Sequence, residues 1–254
     1  MTRDVDALAV DRGILTPSRN PAARQWLLCL PHAGAGAMTY LPLARRLPIS
    51  VGLRVVQPPG REMRRREPSH RDVDELIAEV LPAITAIADR PIALYGHSLG
   101  AITAFELARA MRSAGLPVCH LYVSGRPSPD VPLHTSGVAA ATDDQLVALL
   151  RALGGTPPEI LDEPKLLSLI LPALRADLVM NETYRFRSGP ALDVPLTVFV
   201  ASDDPRAPAP EMARWARHTT RAFRAVAVSG GHFAVLERPE VLIDVIGSDA
   251  LEWE

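Results

Sequence analysis

The chain has 254 residues, enough for one large α/β domain with a sizeable buried core. Its formal net charge of −2 argues against nucleic-acid binding, which asks for a strong basic excess. With 48% hydrophobic and 22% charged residues it has the composition of a soluble globular protein, and no apolar run reaches the length of a membrane span.

Residues 1–25 carry Asp4, Asp6 and Asp11 without an apolar run, so they read as an irregular N-terminal segment and not as a signal peptide. A cytoplasmic location is expected. From 26 to 254 the chain reads as a single domain. Apolar runs suited to buried strands follow at 26–30, 53–57, 91–95, 118–124, 195–201 and 223–228. Helical patterns at 73–88, 101–114 and 239–246 separate several of them, which predicts βαβ units and a mainly parallel sheet. Cys29 and Cys119 fall inside strand patterns and read as small buried hydrophobes, not as a disulfide or a metal pair.

The first strand runs into Pro31-His32-Ala33-Gly34-Ala35-Gly36, small residues that allow close backbone approach. The third runs into Tyr95-Gly96-His97-Ser98-Leu99-Gly100-Ala101, a Gly-x-Ser-x-Gly turn between strand and helix. This context resembles the nucleophile elbow of α/β hydrolases: the glycines admit the tight turn and Ser98 Oγ is lifted to a helix N-terminus. About seventy residues then separate the strand at 118–124 from the next, far more than one crossover helix needs. Leu146, Leu149, Leu150 and Leu153 share one face of 143–153, and Leu166, Leu167, Leu169, Ile170, Leu171 and Leu174 crowd 163–184. An insertion over about 128–190 is therefore expected as a helical cap (lid), with helices on the far face of the sheet as the alternative.

A serine hydroxyl needs a base within hydrogen-bond reach, itself oriented by a carboxylate. In this fold class the chain order is serine, acid, histidine. His232, in Ser229-Gly230-Gly231-His232-Phe233 after the last strand, is the expected base. Asp204 is the preferred acid because a residue before proline is held extended at its strand end. Asp203, which could instead cap the turn, and Asp130, beyond the preceding strand, are the alternatives. The N–H groups of Leu99 and Ala33 are the expected oxyanion donors, with His32 placed to shape that site. His70 and His134 lie in polar loops, His120 begins a strand, His97 points away from its neighbour Ser98, and His218 falls on a solvated face of the pattern at 210–218.

Pro31-His32-Ala33-Gly34, Gln57-Pro58-Pro59-Gly60-Arg61-Glu62, the serine turn, Leu174-Arg175-Ala176-Asp177, Glu182-Thr183-Tyr184 and Gly230-Gly231-His232-Phe233 occur in this order. Together, over about 26–242, they resemble the stand-alone type II thioesterases that accompany modular polyketide synthases and nonribosomal peptide synthetases. Pro58-Pro59 departs from the more usual Leu-Pro. The resemblance implies an editing hydrolase that clears stalled acyl groups from the phosphopantetheine arm of acyl or peptidyl carrier proteins. It supports Ser98, Asp204 and His232, with Ala33 and Leu99, and it implies no cofactor or metal, since the arm belongs to the substrate. A general serine esterase on small oxygen esters and a non-catalytic binding protein of the same fold are the rival readings. The four arginines from Arg61 to Arg66 read equally as a docking site for an acidic carrier and as a solvated loop. No dimer seam is apparent, so a monomer is expected.

Overall fold

A computed structural model describes residues 9–17, 20–132, 137 and 140–251. The six expected strands appear as β3 (Gln25–Leu30), β4 (Val51–Val56), β5 (Ile92–His97), β6 (Val118–Ser124), β7 (Leu196–Ala201) and β8 (Phe223–Val228). They pair in parallel within one eight-stranded sheet that also holds β1 (Ala9–Asp11) and β2 (Ile14–Thr16), in the order β1-β2-β4-β3-β5-β6-β7-β8. Alternate side chains feed two cores, as expected of a sheet covered on both faces. Trp26, Leu28 and Leu30 face one, Leu27 and Cys29 the other. Cys29 and Cys119 are buried free thiols.

The N-terminal segment corrects the expectation of an irregular stretch. Strands β1 (Ala9–Asp11) and β2 (Ile14–Thr16) form an antiparallel hairpin, and β2 adds to the edge at β4. Its two-residue turn puts Arg12 and Gly13 at φ of 47° and 80°, the positive values that such tight hairpins need. Ile14 and Leu15 are buried against the sheet. Three-residue strands are too short to leave a readable alternation.

Helices α1 (Val73–Ile87) and α2 (Leu99–Ser113) follow β4 and β5. Asp72 caps α1 through the Asp74 amide. The insertion after β6 contains α3 (Asp143–Leu153), α4 (Pro158–Leu161) and α5 (Pro164–Thr183). Thr142 and Gln145 form a capping box at the start of α3. Leu146, Leu171, Leu174 and Leu178 cluster with Ala33 beyond the end of β3, while Met180, near the end of α5, joins the core on the Trp26 face of the sheet. Leu166 and Leu169, expected on the apolar side, are 40% and 65% exposed. His134 lies outside the described residues.

Beyond β7 come α6 (Ala209–Ala213), a 3-10 turn (Arg214–His218), and after β8 the helices α7 (Ala234–Glu237) and α8 (Glu240–Leu251). The 3-10 turn corrects the solvated placing of His218. Three residues per turn align Trp215 with His218, and both are buried. His218 packs between Phe105 and Phe186 and meets Ser128 Oγ at 2.9 Å and Asp130 Oδ1 at 3.3 Å.

His120 is buried between Thr197, at 2.9 Å, and the Tyr122 ring stacked 4.0 Å away. Burial is the main cause that pushes its pKa down to about 4; Asp249 opposes the shift and Arg224 adds to it. A histidine depressed on folding contributes fully above its unfolded pKa near 6.5 and loses that contribution as pH falls toward 4. Urea midpoints should therefore drop between pH 7 and pH 4.5, less steeply for His120→Gln. Equal slopes in the two proteins would remove His120 as a cause.

Candidate active site

The turn between β5 and α2 is shaped by close backbone approach. A Cβ on Gly96 would stand 2.0 Å from the Gly100 carbonyl oxygen, and one on Gly100 2.1 Å from that of Leu30. Ser98 takes φ 55° and ψ −118°, a strained conformation for a residue with a side chain. Its own amide is tied to the Ser124 carbonyl at 2.9 Å. The hydroxyl therefore projects at the first turn of α2 and makes no hydrogen bond to a described residue, a common state before substrate binds.

His232 and Asp204 meet through Nδ1 and Oδ2 at 2.7 Å, both buried. Burial favours a neutral Asp204, yet the His232 hydrogen bond and charge, with the Arg206 amide on Oδ1, hold its pKa below the usual carboxylate range. An ionised Asp204 only accepts, so His232 donates through Nδ1, and Nε2 is the ring nitrogen that Asp204 leaves unengaged. Asp203 is exposed and accepts from Ser202 Oγ, while its amide donates to the Gly230 carbonyl. Asp130 serves a different cluster, with Arg214, Ser128 and His218. Of the three candidate acids, only Asp204 reaches His232.

Ser98, His232, Ala33 and Leu99 line one cavity of about 440 Å³. Its roof is apolar, from Leu149, Leu153, Ile160, Ile170, Leu174 and Leu178. The Ala33 amide has no backbone partner among the described residues, and that of Leu99, first residue of α2, has no acceptor within its helix. The next amide of the loop is taken: Gly34 donates to Asp177 Oδ2 at 2.7 Å. His32 Nδ1 meets the Ala33 carbonyl at 3.0 Å. Burial, with the charges of His232 and Arg61, pushes His32 down to about 4, so it is neutral and donates there. His97 is buried against Ser124 Oγ at 2.8 Å, and burial holds it neutral as well.

Two contributors were not recognised in the sequence. Asp177, on α5, forms a two-pronged ion pair with Arg61, whose guanidinium also donates to the Ala35 carbonyl at 3.2 Å. The pair ties a cap helix to the loop bearing the Ala33 amide. It also corrects the reading of the arginine run: Arg61 is buried, and Arg64 is engaged by Glu67 and Glu79. Only Arg65 and Arg66 remain exposed.

A mainly parallel sheet with a serine at the strand-to-helix turn after β5, and an acid–histidine pair beyond β7 and β8, defines an α/β hydrolase. The thioesterase-domain family model matches residues 25–249, and the chain belongs to that family. It is 40% identical over 233 residues to thioesterase PikA5 of Streptomyces venezuelae, covering 89% of this chain and 82% of that protein. The solved type II thioesterase BorB, from the borrelidin biosynthetic cluster, superposes with a TM-score of 0.89 at 38% identity over 96% of this chain and all of BorB. Linear gramicidin dehydrogenase LgrE of Brevibacillus parabrevis is 33% identical over 93% of this chain and 92% of its own length. Its name does not transfer. The glycine loop here places Thr39 where a dinucleotide fingerprint has its third glycine. The Glu62 carboxylate, which accepts from the Met38 amide at 3.2 Å, fills the space beside Gly36 that a pyrophosphate would need.

Proposed function

We propose that the protein hydrolyses acyl groups from the phosphopantetheine arm of acyl or peptidyl carrier proteins, through an acyl-Ser98 intermediate. The observation that carries this reading is the Asp204–His232 hydrogen bond in a cavity shared with Ser98, Ala33 and Leu99. His232 Nε2 takes the Ser98 proton as Oγ attacks the thioester carbonyl. The Ala33 and Leu99 amides hold the oxyanion. The arm leaves as a thiol, its sulfur protonated by His232. Water, deprotonated by His232, then adds to the acyl-serine, and Ser98 Oγ departs with that proton to give a free acid. A thiolate, with pKa near 8.5, asks less of the acid step than an amine or alkoxide. The insertion over 128–190 acts as a lid that encloses the acyl chain, and the protein works as a monomer in the cytoplasm without a cofactor of its own.

The test is the ratio of kcat/KM on acetyl- and propionyl-loaded carrier protein to that on p-nitrophenyl acetate. A strong preference for the loaded carriers is expected; cleavage of the ester alone would install the esterase reading. Ser98 should also be labelled by a fluorophosphonate probe. A chain that neither labels nor turns over would be a binding protein.

A further inference from the structure

A second cleft, of about 260 Å³, also contains Ser98 and is lined by Arg126, Asn181, Arg206 and Glu211. Arg126 and Asn181 extend from it into a third cleft of about 500 Å³. Asn181 and Arg206 stand on the wall this cleft shares with the chamber under the cap, whereas Arg126 lines this cleft and not the chamber. Arg126 is only 5% exposed. Its guanidinium donates to Asn181 Oδ1, its Nε finds no partner, and it forms no ion pair among the described residues. Arg61, equally buried, has a carboxylate on both prongs; Arg126 has none. Burial, with the neighbouring Arg206 charge, pushes Arg126 down to about 10, which leaves it a cation at neutral pH. The Arg206 side chain likewise forms no ion pair among the described residues, although its amide is held by Asp204. Glu211 lines the cleft without pairing to either.

The arrangement is fixed, not incidental. The Arg126 carbonyl accepts from Trp215 Nε1 at 2.9 Å. A Cβ on the preceding Gly125 would stand 2.4 Å from the His97 ring. A buried cation with no counter-charge is costly in a fold unless something arrives to pair with it. Guanidinium groups match carboxylate and phosphate oxygens.

We infer that Arg126 and Arg206 form a subsite for an anionic oxygen group, carboxylate or phosphate, carried by the thioester whose carbonyl is presented to Ser98. This rests on the hydrolase reading above and adds to it a polar half of the substrate. The anion has two sources: an acid on the acyl chain, or the phosphate of the pantetheine arm.

The experiment measures kcat/KM of the full chain for acetyl-pantetheine, malonyl-pantetheine and acetyl-phosphopantetheine. Wild type is compared with Arg126→Gln and with the more exposed Arg206→Gln. Each protein is scored by its charged-to-uncharged ratio, so a partly misfolded preparation does not distort the result. One ratio should fall about tenfold or more in each variant, the effect of a lost charge-assisted hydrogen bond. A fall in the malonyl ratio identifies a carboxylate, and a fall in the phosphopantetheine ratio a phosphate. If wild type hydrolyses acetyl-pantetheine and neither ratio moves in either variant, the subsite is wrong. If wild type hydrolyses none of the three, the hydrolase reading fails and the subsite with it.

Discussion

Ser98→Ala leaves acetyl-loaded carrier protein intact: release, followed by intact-protein mass spectrometry, falls by roughly 10⁴-fold or more in kcat. His232→Ala should do the same, and combining the two should cost no more than either alone, because nucleophile and base act as a unit. Asp204→Asn keeps the shape of the pair but removes the charge that holds the proton on Nδ1. About 10⁴-fold is expected there too. Asp203→Asn is the control. Among the described residues its side chain meets only Ser202, so its rate should stay within a few-fold of wild type. A large loss for Asp203→Asn beside a small one for Asp204→Asn would reverse the assignment. The folded state of Ser98→Gly should be slightly the more stable, since glycine adopts φ 55° without strain.

The second large effect is expected at Asp177, which takes no part in the proposed chemistry but holds the Gly34 amide at 2.7 Å. Asp177→Ala leaves the Arg61 guanidinium buried with no opposite charge, a change that costs about 3–5 kcal/mol in comparable pairs. It also frees the Gly34 amide from its acceptor and releases the Arg61 side chain that donates to the Ala35 carbonyl. Urea unfolding should show the loss of stability. Because Gly34 follows the residue that offers the oxyanion donor, kcat should fall by about 10²-fold, the scale of losing one such donor, with KM little changed. The double variant Arg61→Met/Asp177→Leu separates the two effects. Removing both charges should recover much of the stability, while kcat stays low because the Gly34 contact is still missing. Full recovery of kcat in the double variant would show that the pair serves stability alone.

The parallel strands were legible because each is a short run of apolar residues with a turn signal behind it. The intervals 118–124 and 223–228 coincide with β6 and β8, and the shifts elsewhere are one or two residues. Ser98 was legible because Gly96 and Gly100 mark backbone with no room for a Cβ, and His232 because Gly230, at φ 115°, marks the turn before it. Asp204 was preferred over Asp203 on backbone grounds, and it is the one that meets His232. What escaped was written in contacts across long sequence distances. Arg61 and Asp177 are 116 residues apart, and an arginine inside a charged run looks solvated until the fold brings a carboxylate to it. His218 escaped for a local reason, since a 3-10 turn shifts which side chains share a face. The β1–β2 hairpin escaped because burial of Ile14 and Leu15 outweighs the polar residues around them.

Helix α5 is divided in its duties. Near its start Leu166 and Leu169 face solvent, whereas from Leu171 to Asp177 it is buried and bolted to the loop after β3. Lifting it as one piece would break the Asp177 contacts to Gly34 and Arg61, next to the proposed oxyanion donor Ala33. On the proposed reading of the insertion as a lid, passage of the acyl chain falls to α3 and α4, joined through Gly154 and Gly155, whose φ values are 73° and 80°. Chain-length preference and turnover thereby become separable traits. Grafting α3 and α4 from a relative should retune which acids are released without touching the machinery that releases them.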